Sequence, residues 1–221
     1  MDPLYAKTGS LQRSSRKPYP SKTRSRPILP RRASSYRSPT PHHFFPSARH
    51  PQGTELRFIP LGGCGEVTRS MYIYEYRDDI VIIDMGLQFP EEDMPGIDYL
   101  IPNVEYLKSR KDLIRGVIIT HGHYDHIGAI PHLLDPLGNP PLYATALTRG
   151  MILKRQEDFK SSPVPKIEII TPESKIRLGT FFDVEFFHVN HNIPDSVGVT
   201  LKTPAGTVVH TGDFKFDHTP V

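Results

Sequence analysis

The sequence is poor in cysteine and has no tryptophan: Cys64 is the one cysteine among its 221 residues. A single cysteine cannot form an internal disulfide, so a disulfide-stapled fold is excluded and a reducing compartment is expected. No apolar run approaches the roughly 18 residues of a membrane span, and residues 80–83 form a typical, strand-sized run. The N-terminus also lacks the apolar segment of a secretory signal. We therefore expect a cytoplasmic protein without a membrane partner.

Acidic residues are almost absent from the first 53 residues, which hold 11 Lys and Arg but one acid, Asp2. This segment carries a formal charge of +10 and the remainder −7, which together give the +3 of the chain. Its Ser, Pro, Arg and Lys bury too little apolar surface to offset the conformational entropy lost when a chain is ordered. Residues 1–53 are therefore predicted to be a disordered basic tail. Such a tail either binds nucleic-acid phosphates or serves as a solubilising spacer. A transit peptide is a third reading, which nine prolines in the segment disfavour.

Short apolar or alternating segments, separated by turn residues, begin at Thr54. They predict strands at 56–60, 70–76, 80–84, 116–120, 166–170, 181–189, 197–202 and 207–210, and helices at 102–113, 125–134 and 146–159. Residues 203–206 predict a hairpin turn. The many adjacent strands favour an α/β fold of the layered α+β kind, a sandwich rather than a doubly wound parallel sheet. Residues 214–221 contain nothing typical of a domain end, so residues 54–221 are expected to be an incomplete domain.

One stretch of sequence has chemistry that core packing does not require. The run His121-Gly-His123-Tyr-Asp125-His126 follows the apolar residues 117–120. Three imidazoles and a carboxylate at a strand end can converge on one or two divalent ions. These ligands suit Zn²⁺, with Mn²⁺ as a competitor. His191 and Asp213 stand at the ends of later predicted strands and are further candidate ligands.

Other polar residues near these segments have a structural explanation as well as a functional one. Asp84 ends an apolar strand, where it either orients a ligand imidazole or satisfies a turn. His188 and His210 are expected to pack on strands or to orient a ligand, rather than bind an ion directly. Cys64 has no base placed beside it by the sequence, so it is not predicted to be a nucleophile.

The run of histidines and aspartates, the later His191 and the Gly-Asp pair at 212–213 resemble the metallo-β-lactamase superfamily. Further motifs narrow the resemblance to the ribonuclease J family of bacteria, within the β-CASP group, and to its N-terminal portion. These motifs are Leu61-Gly-Gly-Cys-Gly-Glu66, Ile83-Asp-Met-Gly86 followed by Phe89-Pro90, Gly96-Ile-Asp-Tyr99, His191-Asn-Ile-Pro-Asp-Ser196 and His210-Thr-Gly-Asp-Phe-Lys-Phe-Asp217. The resemblance extends over residues 56–221. One departure is Tyr124, which stands where the family often has Glu.

The resemblance implies a metallo-β-lactamase αββα sandwich with two zinc ions. It assigns His121, His123 and His191 to one ion and Asp125, His126 and a bridging Asp213 to the other, and the last three are the expected catalytic residues. It also implies a structural calcium ion at the Gly96 carbonyl and Asp98. A further zinc ligand, the β-CASP domain and the rest of the sandwich are expected in a later part of the family's chain.

The function implied by the resemblance is zinc-dependent hydrolysis of RNA phosphodiesters in RNA processing and decay. Family members combine 5′-to-3′ exoribonuclease and endoribonuclease activity, use a hydroxide activated by two metal ions, and form homo-oligomers, either dimers or tetramers. Two alternatives remain: a small-molecule hydrolase of the thioesterase or lactonase type, and an inactive RNA-binding fragment. Because the β-CASP segment is missing, these 221 residues alone are expected to be weakly active or inactive.

Overall fold

The computed structural model describes residues 53–217. The predicted tail at 1–53 lies outside this part of the chain, apart from Gly53. A 3₁₀ turn at Lys111–Leu113 precedes β4. The strands and helices follow in the order β1 (Leu56–Gly62), β2 (Met71–Tyr76), β3 (Asp79–Ile83), α1 (Glu105–Lys108), β4 (Ile114–Ile118), α2 (Tyr124–Ile127), α3 (Ile130–Leu133), β5 (Leu142–Ala144), α4 (Ala146–Gln156), β6 (Ile167–Ile169), β7 (Lys175–Leu178), β8 (Phe182–His188), β9 (Val197–Thr203) and β10 (Gly206–His210).

These strands form two sheets. The first has six strands in the order β1-β2-β3-β4-β5-β6, and the second has four in the order β10-β9-β8-β7. Strands β1 to β3 are antiparallel neighbours, whereas β3 to β6 run parallel because helical crossovers connect them. The second sheet is antiparallel throughout.

Strand β3 lies at the centre of the sandwich and is buried on both faces. Ile80 and Ile82 pack with residues of all four helices, whereas Val81 and Ile83 pack against the four-stranded sheet. Burial on both faces explains why this strand is an unbroken apolar run rather than an alternating one. Within residues 53–217, the layers are therefore helices, six-stranded sheet and four-stranded sheet. No helix in this part of the chain is long and apolar enough to cross a membrane.

The predicted layered sandwich is confirmed, and all eight predicted strands are present within about two residues of their expected bounds. The hairpin turn at 203–206 is also confirmed, since Thr203 pairs with Gly206 and its Oγ1 accepts a hydrogen bond from the amide of Ala205. Two short strands, β5 and β7, were not predicted. They contain three and four residues, too few for a clear alternating pattern.

The predicted helix extents are wrong in two places. The segment 102–113 forms only the single turn α1 before the 3₁₀ turn. The segment 125–134 is divided into α2 and α3, because the amide of Ala129 donates to the carbonyl of Met85 instead of continuing the helix. Pro131, in the first turn of α3, has no amide hydrogen to donate to the preceding turn.

A buried carboxylate connects the two sheets at the end opposite to the loop of histidines. Asp79, at the start of β3, is 2% exposed. Its Oδ1 accepts a hydrogen bond from Arg115 Nε at 2.5 Å, and its Oδ2 accepts from the amides of Thr180 and Phe181 at 2.5 and 2.9 Å. One side chain of the six-stranded sheet thus fixes the turn between β7 and β8.

We expect Asp79→Ala to lower the free energy of unfolding by about 3 kcal/mol, because two partly buried amides and a guanidinium would lose their buried acceptor. Chemical denaturation measures this change. Asp183→Ala is the matched control: its carboxylate pairs with Arg177 at 3.3 Å on an exposed surface, so its removal should cost less than about 1 kcal/mol. Equal losses in the two variants would contradict the assigned role of Asp79.

Candidate metal centre

The six side chains predicted to bind metal meet where three strands end. His121 and His123 lie in the loop between β4 and α2, and Asp125 and His126 lie in the first turn of α2. The other two come from the second sheet, where His191 follows β8 and Asp213 follows β10. Residues up to 92 positions apart in the chain are thereby brought to one place.

His121, His123 and His191 form the first candidate cation site. Nε2 of His121 lies 3.0 Å from Nδ1 of His123, which lies 3.2 Å from Nε2 of His191. The three rings contact one another edge to face, with centroids 4.7–5.0 Å apart. One ligand atom from each residue lies within 4.8 Å of the others.

His126, Asp125 and Asp213 surround the second candidate site. Nε2 of His126 lies 3.5 Å from Oδ2 of Asp125 and 3.4 Å from Oδ2 of Asp213. Oδ2 of Asp213 is also 3.8 Å from Nε2 of His191, so Asp213 stands between the two sites. His121 joins His126 and Asp213 in a second group of ligand atoms within 4.8 Å of one another, whereas Asp125 belongs to neither group.

The spacing of these atoms fits a divalent ion. Two ligand atoms about 2.1 Å from one tetrahedral ion lie about 3.4 Å apart, and the measured separations between 3.0 and 3.8 Å are close to that value. In addition, Nε2 of His126 is buried without a hydrogen-bond partner among the described residues. A cation between His126 and the two carboxylates would satisfy this nitrogen.

Groups of opposite charge lie close together around the second site. Burial opposes a charge on His126, but the carboxylates of Asp84, Asp125 and Asp213 outweigh it and raise its pKa to about 12. The imidazole of His126, 3.4 Å away, lowers the pKa of Asp213 to about 2. Burial, with the neighbouring His126, lowers the pKa of His121 to about 3. Three carboxylates around one imidazole form an anionic environment that attracts cations.

Asp84 and Thr120 orient the two buried histidines. Asp84 is fully buried, and its Oδ2 lies 2.8 Å from Nδ1 of His126. The same carboxylate accepts hydrogen bonds from the Thr120 amide and hydroxyl at 2.8 and 2.9 Å. The Thr120 hydroxyl lies 3.0 Å from Nδ1 of His121. Because both Nδ1 atoms are engaged, Nε2 of each ring remains available to an ion.

Backbone hydrogen bonds hold the loop that carries Asp125 and His126 against the end of β3. The amide of Met85 donates to the His126 carbonyl at 2.7 Å, and the amide of Ser70 donates to the Asp125 carbonyl at 2.8 Å. Gly86 lies between these contacts, and a Cβ atom there would be 1.5 Å from the Asp125 carbonyl oxygen. A glycine at position 86 is therefore required by the close approach of two backbones.

A cavity of about 220 Å³ opens beside the second site and is lined in part by Tyr72, His126, His210 and Asp213. Nδ1 of His210 lies 3.1 Å from the Tyr74 hydroxyl, and its ring packs on Tyr72 at 4.9 Å. His210 therefore lies in the wall of the cavity and belongs to neither group of ligand atoms, as expected from its strand position.

The structure does not bring together every predicted site residue. Gly96 and Asp98, predicted to bind calcium, are both exposed, and Asp98 belongs to neither group of three ligands found among residues 53–217. The calcium site stays a prediction. Thr120 was missed from the sequence, although its place beside His121 at the end of an apolar strand was a usable signal.

Comparisons with known proteins found a family and several relatives of similar sequence. The sequence model of a family described as the metallo-β-lactamase superfamily matches residues 64–220. The chain is 43% identical over 171 residues to ribonuclease J of Thermus thermophilus, 37% over 174 residues to ribonuclease J of Synechocystis and 42% over 167 residues to ribonuclease J of Helicobacter pylori. These matches cover 75–79% of this chain but only 24–30% of each relative. The chain thus spans less than a third of the length of these curated relatives.

Solved structures show the same fold. The metallo-β-lactamase fold protein YhfI of Bacillus subtilis aligns with a TM-score of 0.52 at 18% identity, covering 74% of this chain and 64% of its own. A protein of unknown function from Enterococcus faecalis aligns with a TM-score of 0.54 at 19% identity, covering 73% of this chain and 44% of its own. These likenesses confirm the predicted fold and, at such identities, concern the fold alone.

We expect Asp84→Asn to weaken the binding of Zn²⁺ or Mn²⁺ about 10- to 100-fold, because His126 would lose the anion that orients its ring. Asn tolerates the positive φ of 63° at this position, so the backbone is not strained by the change. Competition with a chelating dye measures the affinity. Asp195→Asn is the matched control, since Asp195 also has a positive φ of 61° but is exposed. An equal loss in both variants would contradict the role of Asp84.

Proposed function

The chain belongs to the metallo-β-lactamase superfamily, and from that premise we propose that it provides the metal-binding part of a ribonuclease J-like hydrolase of RNA phosphodiesters. The observation that carries this proposal is the spacing of the six His and Asp side chains, which suits two adjacent divalent ions. The identity of 37–43% to proteins named ribonuclease J supports RNA as the substrate.

The proposed cofactors are two Zn²⁺ ions, with Mn²⁺ as the alternative. His121, His123 and His191 would hold one ion, and Asp125, His126 and Asp213 the other, with Asp213 between them. Imidazole and carboxylate ligands suit either metal. Two such ions would lower the pKa of a water molecule towards 7 and neutralise charge on the phosphoryl oxygens.

The residues of the chain have separate tasks in the proposed reaction. Asp84 and Thr120 hold the rings of His126 and His121 through Nδ1. The carboxylates of Asp125 and Asp213 can only accept hydrogen bonds when ionised, so they orient a water molecule for in-line attack on phosphorus. As the water oxygen bonds to phosphorus it loses a proton to solvent, the bond from phosphorus to the 3′-oxygen breaks, and this oxygen takes up a proton from solvent.

The products distinguish the two modes of cleavage that we propose. Processive removal of nucleotides from a 5′ end and cleavage within the RNA chain use the same in-line displacement. They differ only in how the RNA is positioned beside Asp125 and Asp213. Oligonucleotides labelled at the 5′ or the 3′ end separate the two, because only internal cleavage releases long 5′-labelled fragments.

We expect His123→Ala and Asp213→Ala to reduce the cleavage of 5′-phosphorylated RNA at least about 100-fold, because each removes a ligand of the proposed ions. Cleavage is measured in Zn²⁺ or Mn²⁺ with the chain itself. It is also measured with a chimera in which residues 56–217 replace the matching segment of the Thermus thermophilus relative.

His188→Ala is the control, because His188 is exposed on β8 and belongs to neither group of ligand atoms. Its cleavage rate should match that of the unsubstituted protein. Undiminished cleavage by His123→Ala, or hydrolysis of thioesters or lactones in preference to RNA, would overturn the proposed function.

A further inference from the structure

An arginine stacked between two aromatic rings lies beside the metal centre. The Cζ atom of Arg155, in α4, is 4.7 Å from the ring centroid of Tyr124 and 5.0 Å from that of Phe159. Tyr124 stands in the chain between His123 and Asp125, and its ring centroid is 6.4 Å from that of Phe89. Phe89, Tyr124, Arg155 and Phe159 are called the aromatic row below.

Two rings of this row are open to solvent. Phe89 is 62% exposed and Tyr124 is 42% exposed. The core does not use these rings, because neither belongs to the two buried clusters of the sandwich. Neighbouring exposed aromatic rings are typical of surfaces that bind a partner or ligand.

The two terminal nitrogens of Arg155 are available to donate hydrogen bonds to a ligand. Its Nε donates to the carbonyl of Gly128 at 3.0 Å, which fixes the guanidinium between the rings. Among residues 53–217, no carboxylate forms an ion pair with Arg155, and its two terminal nitrogens donate to none of the described groups. A fixed guanidinium with free donors suits a phosphate, and the ring faces suit nucleobases.

We propose that the aromatic row is a stacking platform that leads single-stranded RNA to the metal centre, an inference that rests on the proposed function. Tyr124 and Phe89 stack on bases, and Arg155 binds a phosphate beside Tyr124. Glu91, Glu92 and Asp93 follow Phe89 and are exposed, so the phosphates run along the Arg155 side. Stacking on ring faces accepts every base, so the platform gives affinity without sequence preference.

The test measures binding of a fluorescent, phosphorothioate-linked oligouridylate, which resists hydrolysis, to the 221-residue chain in Zn²⁺. Tyr124→Ala should raise the Kd about tenfold, the loss typical of one base stacked on an aromatic ring. Tyr124→Phe keeps the ring and should retain the affinity. An abasic oligonucleotide of the same length should bind Tyr124→Ala and the unsubstituted chain alike.

Arg155→Ala should weaken binding mainly at low salt. Loss of one phosphate contact reduces the slope of log affinity against log salt by about 0.7 for a single strand. Arg77→Ala is the matched control, because Arg77 also lies over two rings, those of Tyr76 and Phe181, at 5.8 and 5.4 Å. The RNA affinity of this variant should equal that of the unsubstituted chain.

Three results would overturn the platform: no RNA binding by the unsubstituted chain, an unchanged Kd for Tyr124→Ala, or a loss of self-association in place of RNA affinity. The last result would make the aromatic row a contact between copies of the chain. A different result would overturn the proposed function and leave the platform intact. If Tyr124 contributes to RNA binding but no RNA is cleaved in either metal, the platform stands without the hydrolase.

Discussion

The buried carboxylate of Asp84 is the interaction on which the candidate metal centre depends. It lies at the end of β3, the strand buried on both faces, and accepts hydrogen bonds from Thr120 while contacting His126. An isolated carboxylate in this fully buried position would be costly, so its partners stabilise it as much as it positions them. A strand buried on both faces thus positions the carboxylate that orients the ring of a proposed ligand.

The residues that follow Asp84 also fix the backbone of the loop that carries Asp125 and His126. The amides of Met85 and Ser70 hold the carbonyls of His126 and Asp125, and the absence of a side chain at Gly86 permits this approach. The loop can therefore be held by the core rather than by an ion. This arrangement suits a pre-organised site, in which less ordering is needed when a cation binds. The anionic character of Asp84, Asp125 and Asp213 supplies the attraction.

Much of this architecture could be predicted from local sequence. The apolar run of β3 and the alternation in β8 predict strands, because burial on one or two faces leaves a direct pattern. The types of metal ligand could also be predicted, since His123 and Asp125 belong to a sequence motif that core packing does not require. Local patterns alone did not show which ligands share an ion. The resemblance to a known family assigned them to two ions.

Other features depend on contacts between distant residues and have no local signal. The division of α2 from α3 follows from a hydrogen bond to Met85, 44 positions before Ala129. The contact of Asp79 with Thr180 joins the six-stranded sheet to the turn between β7 and β8. The stacking of Arg155 on Tyr124 likewise needs α4 and α2 side by side. Each of these interactions is determined by tertiary packing, which overrides local preference.

The central claim is that the chain holds two divalent ions among six named side chains. Anomalous X-ray diffraction from crystals of the zinc-loaded chain tests it most directly, because it locates the ions without an activity assay. The account predicts two peaks, one among His121, His123 and His191 and one among Asp125, His126 and Asp213. The absence of both peaks, a single peak, or peaks bound elsewhere would contradict it.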